Sequence, residues 1–268
     1  MKTIELFLER IGATVKDWSR VAHEFFQLFF ETIYWLIFGP LKKKPIHADK
    51  SMEQMVFMGV QSIVIVIFVN FFTGIVLAMQ SAPQLSKMGA VIYVASLVSI
   101  SICRELGPVL TALIMAGRIG AAITAEVGSM AVNEQIEALD TMAISPVRYL
   151  VVPKFIALVL MLPCLTVIGD VAGLLGGYVI GVFSLKINSG LYIQTAFKYL
   201  TLKDIYTGLS KPIVFAMIIS LIGAYQGLKT SGGAVGVGRS TTISVVTSFI
   251  LIIVADCFIT GIYYFTNM

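Results

Sequence analysis

Arg104 and Glu105 stand side by side in a segment, residues 90–117, that is otherwise without charge. Neighbouring residues on a helix project about 100° apart, so the two side chains need not pair with each other. Gly107-Pro108 follows directly and is able to bend a helix and free a carbonyl. Asp170 and Asp256 are the other acids isolated in apolar blocks, and Lys211 marks the entrance of another. Ionised groups in such surroundings normally face a protein interior or a water-filled cavity, because each costs from a few to many kcal/mol in hydrocarbon. One reading of Arg104 and Glu105 is a polar floor or gate in a cavity. The other is an interhelical ion pair with Asp170, Asp256 or Lys211 as partner, although Lys211 is also placed to snorkel to a surface.

Other chemistries fail on residue type. The two histidines, His23 and His47, both lie near the N-terminus, so neither a metal site nor a serine–histidine pair is expected among the apolar blocks. Val167-Ile168-Gly169 before Asp170 is not the G-x-G-D of an intramembrane aspartyl protease. Cys103, Cys164 and Cys257 fall in apolar blocks without a CxxC and read as small hydrophobes. Gly233-x-x-x-x-Gly238-Arg239-Ser240 is one substitution from a Walker A, but it joins two apolar blocks and has arginine in the lysine position. It reads instead as a tight turn, with Ser240, Thr241 or Thr242 capping the next helix. No catalytic residue, metal or cofactor is assigned to the chain.

The elements that carry these charges are set by composition. Of 268 residues 57% are hydrophobic and 13% charged, with a mean hydropathy of +0.91. The apolar residues form blocks of membrane length, so the fold class is an all-α polytopic membrane protein. Five spans are expected, at about 55–79, 90–117, 155–183, 211–228 and 242–265. Residues 1–45 form a separate unit: Ile4, Phe7, Leu8, Ile11, Val15, Trp18, Ala22, Phe25 and Phe29 recur at helical spacing opposite a charged face. Residues 25–38 would cover only about 21 Å, against about 30 Å of hydrocarbon, so this amphipathic helix is expected to lie in the interface and bend at Gly39-Pro40. Residues 46–268 form the membrane domain. With the N-terminus inside, thirteen Lys and Arg flank the inner ends of the spans and five the outer, which predicts a cytoplasmic N-terminus and a periplasmic C-terminus. The net charge of +4 then reflects inner-loop lysines rather than nucleic-acid binding.

Between the second and third spans, Asn133 is a good N-cap for a short helix over 133–143. Glu134 and Glu137 sit in its first turn, where the helix dipole favours acids. Ile136, Leu139 and Ala143 share one face, and Gln135 and Asp140 lie beside it. Such a helix either rests on the membrane or docks on a soluble partner, and its acidity disfavours an anionic leaflet.

The stretch from Arg104-Glu-Leu-Gly-Pro to Arg118-Ile-Gly-Ala-Ala and Glu126-Val-Gly-Ser-Met130 resembles the signature of the MlaE/YrbE permeases. So do Glu134-Gln-Ile-Glu-Ala-Leu-Asp140, Pro146-x-Arg148-Tyr-Leu-Val-Val-Pro153-Lys and Gly236-Val-Gly-Arg239-Ser-Thr-Thr242. The likeness runs from about residue 50 to 265. Ser240 and Ile243 depart from it, and the first 45 residues match poorly. The resemblance implies a permease subunit of an ABC transporter in the bacterial inner membrane. It implies a homodimer with a cytoplasmic ATPase dimer, which holds the ATP and Mg, and with a hexameric periplasmic MCE-domain protein, moving phospholipid. It also implies that 133–143 is the coupling helix and that Arg104, Glu105 and Lys211 lie near the lipid cavity. Acyl tails need apolar walls, for which Leu77 and Leu106 are candidates, with Leu85 and Met88 at the outer mouth; ordinary helix packing is the alternative reading of all four. The alternative function is an ion-coupled transporter or proton-channel stator using Arg104, Glu105, Asp170 and Asp256 as a relay.

Overall fold

The computed structural model describes the backbone of residues 2–41 and 48–266, which is helical and, among the described residues, contains no strand. In chain order the helices are α1 (Lys2–Leu41), α2 (Ala48–Met58), α3 (Ile63–Lys87), α4 (Val94–Ser101), α5 (Gly107–Met115), α6 (Ala121–Val132), α7 (Gln135–Thr141), α8 (Val152–Val179), α9 (Ser189–Tyr199), α10 (Leu202–Leu228) and α11 (Gly233–Phe265). Among the described residues, five units are long and apolar enough to cross a membrane: Asp49–Lys87, Val91–Val132, Val147–Ser184, Leu202–Leu228 and Gly233–Phe265. This is a multi-pass membrane protein.

Each unit is longer than the apolar run that announces it. Residues 80–87, expected as a loop, continue α3 through Pro83. The fifth span begins at Gly233, so the glycine-rich stretch is itself helical. Its N-cap is Gly232 at φ 88°, a left-handed conformation suited to glycine, rather than Ser240, Thr241 or Thr242. Thr241 and Thr242 instead donate back to the carbonyls of Val237 and Gly238. Most buried hydroxyls do the same, among them Ser62, Ser99, Thr166 and Ser220, which satisfies them without water.

α8 runs through the middle of the bundle and is closest to α3. A Cβ on Gly74 would lie 1.9 Å from the Gly173 carbonyl oxygen, and one on Gly176 would lie 2.1 Å from that of Phe71. Glycine at these crossings lets two backbones touch, the way membrane helices gain packing where no hydrophobic effect drives them together. The main apolar core joins Met58, Met115, Ile119, Leu158, Leu162, Phe215, Ile219 and Ile252. α6, α10 and α11 are further tied by Thr124, which contacts the Gly223 carbonyl and Ser244 Oγ at 3.1 and 2.8 Å.

α1 docks on the bundle through Phe25, Leu28 and Trp35, which pack against Val147, Val151, Ala224 and Tyr225. Its other side exposes Phe26, Phe30, Tyr34, Ile37 and Phe38. The described helix continues through Gly39-Pro40 to Leu41. The predicted apolar stripe Ile4, Phe7, Leu8, Ile11, Val15 and Trp18 falls on side chains outside the described residues.

Candidate functional site

The second span changes helical pitch where its charges sit. Ile102–Leu106 is a π-helical turn, in which the Gly107 N–H bonds the Ile102 carbonyl. Pro108 has no N–H to give the carbonyls that precede it. The Cys103 carbonyl instead lies against α10, where a Cβ on Gly208 would come within 1.9 Å of its oxygen. This close approach brings Arg104 and Glu105 to the α10 side of the bundle. Such turns concentrate at functional sites. Here two others, Ala116–Gly120 and Val147–Val151, carry Arg118 and Arg148.

Glu105 meets Lys211 of α10 in a short charge-assisted hydrogen bond. Lys211 also donates to Thr260 Oγ1 at 2.8 Å and lies 2.8 Å from Asp256 Oδ1, off the hydrogen-bonding axis. Thr260 in turn donates to Glu105 Oε1 at 3.1 Å. One fully buried ammonium from α10 is thus held by a carboxylate of the second span and by a carboxylate and a hydroxyl of α11. Lys211 is nine residues into α10, about 14 Å along its axis, so the snorkelling expectation is overturned. Arg104 turns to Asp204 at 3.7 Å. Asp204 also accepts from the Thr201 N–H and hydroxyl in the capping box that starts α10. The set is partly open: the Arg104 and Glu105 side chains are 36% and 34% exposed, while that of Lys211 is sealed.

Asp170 stands apart from this network. Its Oδ1 packs where a Cβ on Gly107 would fall and is buried without a hydrogen-bond partner. The apolar residues named with the charges are likewise not gathered around them. Leu77 and Leu85 pack on Ala78, Ala82, Val94 and Val98 between the first two spans. Met88 is exposed in the turn after α3, and only Leu106 shares the π turn of Arg104. Asp204 and Thr260 were missed in the sequence. Asp204 lies in a mixed segment, and a threonine in a membrane helix usually bonds its own backbone.

At the other end, α7 is shorter than predicted, Gln135–Thr141. Asn133 does not cap it but ends α6, and the reversal is made by Glu134 at φ 58°. Ile136 packs against the main core and Leu139 is half-buried, so the apolar face turns inward. Glu134, Gln135, Glu137, Asp140 and Met142 are exposed. An acidic knob with one methionine thus projects between two spans.

A multi-pass helical bundle with a partly open charge cluster at one end and a protruding acidic helix at the other has the parts of a membrane transport subunit. The chain belongs to the MlaE permease family, whose model, Permease MlaE, matches residues 51–262. It is 44% identical over 231 residues to a probable ABC transporter permease protein of Rickettsia typhi, covering 86% of this chain and 89% of that one. A probable ABC transporter permease protein of a Synechocystis strain is 41% identical over 214 residues, 80% of this chain and 81% of its own. A third, from Pyropia yezoensis, is 34% identical over 242 residues, 90% of each. The chain is therefore a permease subunit of an ABC transporter rather than an enzyme, and it works with an ATPase partner.

Proposed function

We propose that this permease moves phospholipid, or a related lipid, between the bacterial inner membrane and a periplasmic MCE-domain protein. The observation that carries the reading is the partial opening of Arg104 and Glu105 in a bundle of apolar helices. An amphiphile is the ligand such a place suits: the Arg104 guanidinium attracts a phosphate, and Asp204 and Glu105 keep that attraction weak enough for release. Two copies related by a two-fold axis would enclose the chamber. ATP and Mg belong to the ATPase dimer, which α7 would meet through its acidic face. The charge bias of the loops supports an orientation with α7 and the N-terminus in the cytoplasm and the charge cluster toward the periplasm. The exposed aromatic side of α1 suits the membrane interface.

The test is a photo-crosslinker at Leu106, with a control at exposed Leu160 on the third span. Phospholipid captured at Leu106 above the control, with Glu105→Gln impairing transport at unchanged protein level, is the expected result. No excess at Leu106 overturns the placement of the chamber. Transport that survives a disabled ATPase and stops with a protonophore supports the ion-coupled reading instead. That reading lacks a continuous relay, since Asp170 is not joined to the other charges.

A further inference from the structure

A second polar cavity, of about 210 Å³, lies at the α7 end of the bundle between α2, α6 and the start of the third span. Lys50, Glu53 and Gln54 line it from α2, Glu126 from α6, and Tyr149 and Lys154 from the third span. Lys154 is 4% exposed, and its Nζ lies 2.7 Å from Glu126 Oε2. The Lys50 ammonium sits 3.4 Å over the Tyr149 ring. Gln54 Oε1 is buried without a hydrogen-bond partner. Such an acceptor is costly to leave unsatisfied, so it marks a place for a donor.

The position along the helices says what kind of donor. Lys50, Glu53 and Gln54 are the last polar residues before the uncharged run 55–79, and Pro153-Lys154 immediately precede the apolar run 155–183. Two spans thus enter hydrocarbon at this cavity, which is the level of lipid headgroups. Met52 and Val56, on α2 beside it, are exposed and offer a track for acyl chains. Two cations and two carboxylates line the cavity, so its net charge is zero. A net anion would leave the carboxylates uncompensated, whereas a zwitterion matches both signs. The Gln54 oxygen further requires an ammonium that still carries N–H groups, which a quaternary ammonium lacks.

We infer that this cavity binds the phosphoethanolamine headgroup of a membrane lipid, its phosphate on Lys50 and Lys154 and its primary ammonium on Gln54, Glu53 and Glu126. The site is at the opposite end of the bundle from Arg104, so its failure leaves the transport reading untouched.

Native mass spectrometry of the delipidated full chain, titrated with phosphatidylethanolamine, phosphatidylcholine or phosphatidylglycerol, tests it. One ethanolamine lipid per chain should bind more tightly than its choline analogue by about tenfold or more, since each charge-assisted hydrogen bond that the choline is unable to make is worth about that factor. Gln54→Leu should reduce that preference, and Lys154→Met should weaken binding of both zwitterions. If Lys154→Met does not fold, Gln54→Leu decides alone. Equal affinity for the ethanolamine and choline lipids, or a preference undiminished by Gln54→Leu, overturns the inference. Binding of soluble glycerophosphoethanolamine as tight as that of the lipid overturns a membrane source for the ligand.

Discussion

Removing the Lys211 ammonium would leave Glu105 and Asp256 converging with only Thr260 between them. Breaking a buried pair strands charge in a low dielectric, at a cost of about 3–5 kcal/mol. Lys211→Met should therefore lower the unfolding temperature of the purified protein by several degrees. Adding Glu105→Gln should recover part of that loss, because it removes one of the stranded charges. If the double variant is no more stable than Lys211→Met, the coupling across α10 and the second span is not what stabilises the cluster. The members of this set were unequally legible. Arg104, Glu105 and Asp256 interrupt apolar runs and announce themselves. That Lys211 joins two of them, and that Asp204 and Thr260 complete the set, depends on which turns of the second span, α10 and α11 face one another. Contacts between residues 49 and 155 positions apart leave no local signal.

The helices themselves were foreshadowed in number and kind but not in length. Hydropathy reports the part of a helix that lies in hydrocarbon, and each span here extends beyond that part at one or both ends, as α3 does to Lys87 and α11 to Gly233. α7 shows a second limit. Asn133 before an acidic turn has the pattern of an N-cap, yet the reversal is satisfied by backbone, with the Asn133 and Glu134 N–H groups on the Ser129 and Ala131 carbonyls. The outward face is therefore acidic rather than apolar, and a docking partner would meet its acids. Glu137→Arg with Asp140→Arg should reduce ATPase co-purification while leaving the permease folded, because exposed substitutions rarely cost more than about 0.5 kcal/mol. Ile136→Asp should instead lower the yield of permease itself, since Ile136 packs on the core. Full ATPase retention by the double arginine variant would count against docking through this face. α1 gives a pH-dependent counterpart. Glu24 accepts from Lys229 and from Tyr225 and is held below its ordinary 4.5, chiefly by Lys229. Burial works against the charge on Lys229, but the bonds to Glu24 and Tyr225 outweigh it and raise the group above 10.5. The depressed carboxyl contributes above pH 4.5 and is lost as pH falls through its lowered value. The raised ammonium contributes below pH 10.5 and is lost as pH rises through its higher one. Amide exchange at residues 24–35 should thus accelerate below the first limit and above the second. Glu24→Gln should remove the acid limb of that profile.

For the molecule as a whole, the outer helices are unevenly covered. In the most apolar 18 residues of α11 only 11% are buried, against 56% in α10. Ile243, Val246, Ile250, Ile253 and Cys257 are all exposed on α11, at steps of three, four, three and four. That is the spacing of a seam between two helices. Lipid is able to cover any apolar face, but a seam of this period on the same helix that supplies Asp256 and Thr260 suits a second copy of the chain. On a two-fold axis each seam residue approaches its own counterpart. Oxidation in native membranes should therefore yield a disulfide-linked dimer through Cys257, with Cys257→Ser abolishing it and Cys164→Ser leaving it intact. Cys103 is buried and should not contribute. A dimer lost with Cys164→Ser and retained with Cys257→Ser would move the interface to the third span. With cysteine placed at Val246 or Ile250 in the Cys257→Ser background, the dimer should return, since both lie on the same stripe. If neither position links, α11 faces lipid, and the chamber around Arg104 must be closed by another helix.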